Sequence, residues 1–86
     1  MLNKIKAVSN IFCEYPFRVL ILRNTFMLER FVIAEYVITE EDDIKQIKFP
    51  EDLELYTICY EVSENRIIVN FRDKLKETLT EYAMRT

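Results

Sequence analysis

Apolar residues in this chain recur with two periods, and the switch between them marks out its elements. In residues 2–14 (LNKIKAVSNIFCE), Leu2, Ile5, Val8 and Phe12 fall at helical spacing, and Ile11 and Tyr15 widen the stripe. Pro16 follows. A residue before proline avoids the helical region, so the helix should stop by Glu14 or Tyr15. Residues 17–23 (FRVLILR) form a short apolar run rich in Val, Ile and Leu, which predicts a strand covered on both faces.

Residues 26–38 (FMLERFVIAEYVI) admit two readings. As a helix, the segment has Asn24 or Thr25 for a cap, but Glu29, Arg30 and Glu35 do not share a face. As a strand from Arg30 to Thr39, it is dense in β-branched and aromatic residues. We take the strand, with 24–29 as a loose connection. Thr39 with Asp42 three positions on resembles a capping box, and the acidic run Glu40–Asp43 suits a helix start, so a short helix is expected over 40–47, ended by Phe49-Pro50.

The strongest signal is the hairpin from Leu53 to Arg72. LELYTICYEV and RIIVNFR flank Ser63-Glu64-Asn65, and Asn65 is the natural left-handed residue of such a loop. Strict alternation puts Leu55, Thr57 and Cys59 on one face, and Tyr56, Ile58, Tyr60 and Val62 on the other. Residues 73–85 predict a closing helix with Leu75, Leu79, Tyr82 and Ala83 inward. The order is α-β-β-α-β-β-α. Short connections favour antiparallel pairing, so the expectation is a single α+β domain over 1–86, a small antiparallel sheet of three to four strands packed with N- and C-terminal helices.

Composition sharpens this picture. Half the residues are apolar and eleven are Phe or Tyr, far from a disordered chain. A domain of 86 residues cannot hide all of that surface, which leaves apolar area for a partner or a second copy. Glycine is absent, so there is no glycine-rich phosphate loop. Histidine is absent, which removes the commonest general base and metal ligand. Cys13, Cys59, Ser9 and Ser63 therefore lack the partner a nucleophile needs, and the two cysteines read as buried, reduced thiols. The acidic run lacks the alternation and central glycine of a calcium loop. These absences point away from an enzyme, a cofactor or a metal. No apolar run is long enough to span a bilayer and no secretory leader is visible, so the expected location is cytoplasmic.

The formal charge of −3 is uneven. Residues 1–34 hold five basic and two acidic side chains, and residues 35–86 hold seven basic and thirteen acidic. An acidic face for a basic protein partner follows, with Tyr56, Ile58, Tyr60, Glu54, Glu61 and Glu64 as the candidate contact residues. Tyrosines on a strand also stack bases in sheet-based RNA readers, but those interleave Lys and Arg where this strand has Glu54 and Glu61. The expected function is a non-enzymatic protein-binding module, an inhibitor or modulator of a host protein or nuclease complex, with a homodimer as a further expectation. Small acidic proteins of viruses and mobile elements supply the analogy. The alternatives are a nucleic-acid-associated regulator using Arg18, Arg23 and Arg30, or a structural subunit of a larger assembly.

Overall fold

The inner strands of the sheet are the two most apolar runs of the chain, as burial on both sides requires. The computed structural model describes residues 1–74. Helix α1 (Leu2–Phe12) leads into β1 (Phe17–Asn24), β2 (Arg30–Ile38), a 3-10 helix (Glu41–Gln46), β3 (Glu54–Glu61) and β4 (Arg66–Arg72). The four strands form one sheet in the order β2-β1-β4-β3.

Two hairpins are thus laid side by side. β1 with β2 and β3 with β4 are antiparallel, as expected, but the central pair β1 and β4 is parallel, so the sheet is mixed and not antiparallel throughout. The reason lies in the sequence of β4. Ile67, Val69 and Phe71 are buried on one face and Asn70 on the other, so β4, and not β3, must lie inside. Chain direction then forces it to run alongside β1, with β2, the 3-10 helix and β3 serving as the crossover.

One face of the sheet builds the core. Phe17, Val19 and Ile21 of β1 meet Ile67, Val69 and Phe71 of β4, with Ile38 beside them. Ile5 of α1 and Ile44 and Ile47 of the 3-10 segment close over this layer, and all three are buried. Full burial of each such side chain contributes about 1.5–3 kcal/mol. α1 ends at Phe12, two residues sooner than the proline alone demands, because Cys13 turns to an extended conformation.

The helix expected over 40–47 forms as a 3-10 helix with Glu40 at its N-cap, and the capping box pairs Glu40 with Asp43 and not Thr39 with Asp42. One Asp43 oxygen, Oδ2, accepts from the Thr39 hydroxyl at 2.7 Å, from the Thr39 backbone N–H at 2.8 Å and from the Glu40 N–H at 3.2 Å. These three donors favour the charged form and hold the Asp43 carboxyl below its ordinary range, with the Thr39 hydroxyl the largest cause. Lys6 of α1 meets Glu41 at 2.9 Å, which pins helix to 3-10 segment and raises the lysine's pKa.

Both outer strands carry a β-bulge, at Ile33 in β2 and at Tyr56 in β3. A bulge shifts side-chain alternation by one position. The faces expected for the first hairpin strand are therefore right only in part. The expected C-terminal helix, 73–85, lies almost wholly outside the described residues. Among those residues no helix is long and apolar enough to cross a membrane, and no cluster of three potential metal ligands occurs.

Candidate protein-binding surface

The bulge at Tyr56 decides where the candidate contact residues go. Leu55, Ile58 and Tyr60 pair with Phe71, Val69 and Ile67, so all three lie on the core face. Tyr60 stacks on Phe12 of α1 with ring centroids 5.4 Å apart, and its hydroxyl donates to Asn65 Oδ1 at 2.9 Å. Burial against this packing raises the Tyr60 pKa. Ile58 and Tyr60 are therefore half-buried packing residues, and Tyr56 does not share their face. Strict alternation across 53–62 fails at this single extra residue.

Tyr56 turns instead toward Arg72, whose guanidinium lies 4.9 Å from the ring centroid. Arg72 Nε in turn donates to Glu54 at 2.8 Å. Glu61 pairs with Arg66 at 3.1 Å. Two of the three carboxylates expected to greet a basic partner are thus neutralised within the sheet. Glu64 sits exposed in the β3–β4 turn, where it borders a shallow hollow with Arg18, Val37 and Arg66.

The same open face holds a polar chain across three strands. Asn24 Nδ2 donates to Asn70 Oδ1 and to the Phe71 carbonyl, each at 3.2 Å. Asn70 Nδ2 donates to Thr57 Oγ1 at 3.1 Å. These bonds satisfy the amide of Asn70, which is buried, and align one end of the sheet. Cys59 lies on this face as well, exposed, while Cys13 is half-buried and its pKa is raised by burial. The expectation of two buried thiols holds for neither residue in full: the Tyr56 bulge turns Cys59 away from the core.

The connection expected to be loose, 24–29, takes a definite shape. It is an ordered turn. The Leu28 N–H donates to the Thr25 carbonyl at 3.1 Å, the Thr25 N–H to the Glu29 carbonyl at 2.9 Å, and the Glu29 N–H to Thr25 Oγ1 at 3.3 Å. Leu28 takes a left-handed conformation, φ +62°, at a position where glycine or asparagine normally stands. Its side chain is 92% exposed, and Phe26 and Met27 beside it are also exposed. An apolar hollow of about 420 Å³ opens between this turn and β3, walled by Phe26, Leu28, Arg30, Tyr56 and Arg72. Three consecutive apolar residues between two strand runs were the signal available in the sequence; ordinary turns are polar.

No protein-family model, curated protein or solved structure matches this chain.

Proposed function

We propose that the chain acts by binding another protein, through the turn Phe26–Leu28 and the adjoining Tyr56–Arg72 pair. The observation that carries this reading is Leu28. Holding a branched side chain in left-handed backbone costs roughly 1–2 kcal/mol; the backbone closes the turn bonded between Thr25 and Glu29, but a leucine side chain that is almost wholly in solvent gains little packing in return. Local strain beside an exposed apolar residue is what a recognition tip displays. Tyrosine and arginine, the residue types richest in interface anchors, form the opposite wall.

Binding then acts by occupancy: the chain blocks or modulates its target. The engagement of Glu54 by Arg72 and of Glu61 by Arg66 shifts the expected partner from a basic protein to one that offers an apolar anchor. Pairing also favours a protein over nucleic acid. Arg18 meets Glu35, Arg23 meets Asp73, and Arg66 and Arg72 have their own carboxylates, which leaves little basic footprint for phosphates.

A photo-reactive amino acid at Phe26, in the cell that expresses the chain, tests this. A discrete protein adduct is expected from position 26, weakened by Tyr56→Ala, with none from the same probe at Asp42 on the 3-10 helix. Adducts with nucleic acid alone, or equal labelling from both positions, would overturn the reading.

A further inference from the structure

We infer that β2 pairs with β2 of a second copy, antiparallel about a two-fold axis, to make one continuous eight-stranded sheet. The inference does not rest on the tip described above, although Arg30 borders both surfaces. β2 is an edge strand of nine residues. Phe31, Val32, Ile33 and Val37 are all roughly half exposed or more, and the strand contains neither lysine nor proline to discourage pairing.

The register follows from charge and from the bulge. In an antiparallel pair, residues directly opposite share a face. On a regular strand Arg30 and Glu35, five apart, would point to opposite faces. The bulge at Ile33 brings them together: Arg30 lies opposite Asn24 and Glu35 opposite Leu20, two residues on the same face of β1. Phe31 and Ala34, opposite Arg23 and Ile21, likewise share the core face. A two-fold axis between Val32 and Ile33 therefore sets Arg30 of each copy against Glu35 of the other. It also lays Phe31 of each copy over the small Ala34 of the other. The new pairs compete with contacts inside each copy, Glu35 with Arg18 at 3.6 Å and Arg30 with Asn70 Oδ1 at 3.5 Å, and the bulky ring meets a gap.

β3 also has its bulge between two charged residues, and Glu54 and Glu61 lie on one face, opposite Arg72 and Arg66. Both carboxylates are held there by arginines of β4, Glu54 by Arg72 and Glu61 by Arg66. Pairing of β2 with itself about a two-fold axis uses the same strand of both copies, so the contact closes as a dimer instead of growing into a fibre.

Sedimentation equilibrium of the purified chain over roughly 1 µM to 1 mM, the span of weak to moderate affinities, tests the inference. A monomer–dimer equilibrium is expected. Arg30→Glu should raise the dimer dissociation constant about tenfold or more, because two symmetry-related pairs turn repulsive. Combining it with Glu35→Arg should restore affinity to within about threefold, since the same two pairs form again with their signs exchanged. Hydrogen exchange of the unaltered chain adds a readout independent of any variant: β2 amides should gain protection as concentration rises. A monomer at every concentration, a dimer indifferent to Arg30→Glu, a loss that the charge exchange does not repair, or β2 amides whose exchange ignores concentration would each overturn it.

Discussion

Asn65→Gly removes one side chain and unties two parts of the fold. Asn65 sits in the β3–β4 turn with φ +48° and ψ +55°, a left-handed conformation that glycine adopts without penalty. The backbone is therefore preserved, and only the side-chain bonds are lost. Asn65 Nδ2 donates to the carbonyls of Glu14 at 2.8 Å and Pro16 at 3.2 Å, and Oδ1 accepts from the Tyr60 hydroxyl at 2.9 Å and the Glu14 N–H at 3.3 Å. All four amide valences are used, tying the α1–β1 link to a turn about fifty positions away. A net hydrogen bond contributes about 0.5–1.5 kcal/mol. Several of these are open to solvent, where water replaces them, so the sum should lie at the low end, about 2–3 kcal/mol with the added entropy of glycine in the unfolded chain. With a urea m-value of about 1 kcal/mol/M for a domain this small, the midpoint should fall by roughly 2 M or more. Tyr60→Phe, which removes one of the four bonds, should cost only about 1 kcal/mol. A midpoint for Asn65→Gly within about 0.3 M of the parent, or a Tyr60→Phe loss as large as that of Asn65→Gly, would show that the knot contributes little.

Three further outcomes follow from the geometry. Leu28→Asn should stabilise the chain by roughly 0.5–1 kcal/mol, by relieving the left-handed leucine, while weakening partner capture at the tip; equal losses of stability and capture would contradict the assignment of Leu28 to recognition. Asp43 has a depressed pKa, so its contribution is present above the unfolded carboxyl value of about 4 and fades as pH falls through the lower folded value. Urea midpoints of the parent and Asp43→Asn should therefore differ near neutrality and converge in acid as the folded carboxyl protonates, and a gap independent of pH would refute the capping role. Thiol labelling under native conditions should proceed in two phases, Cys59 first because it is exposed and Cys13 later because burial both shields it and raises its pKa; the reverse order in a peptide map would contradict the face assigned to Cys59.

Much of the fold was legible because its elements are local. FRVLILR and RIIVNFR carry no pattern but burial, and both became inner strands. Asn65 was legible as the left-handed residue of its turn because, without glycine, asparagine is what tolerates that backbone. The parallel seam was not, since nothing in either hairpin's own sequence states which neighbour it takes. The bulges were not legible either. One inserted residue reverses every face beyond it, and so Tyr56 parted from Ile58 and Tyr60 while Cys59 moved outward. Of the candidate contacts, Tyr56 reached the surface now assigned to recognition, with Glu54 behind it holding Arg72. Phe26 and Leu28 escaped notice because a short segment between two strands reads as mere connection until its backbone is seen.

The parallel seam also sets an order of events in folding. Every β1–β4 partner lies 48 positions from its mate, whereas each hairpin closes across a short turn. Closing the longer loop costs about 2 kcal/mol more in chain entropy than closing a six-residue one, and no hydrogen bond of the seam forms until it is met. The two hairpins therefore assemble early and separately, and the climb to the native state is the docking of one ribbon on the other, so that Ile21 and Val69, not the turns, govern how fast this protein folds.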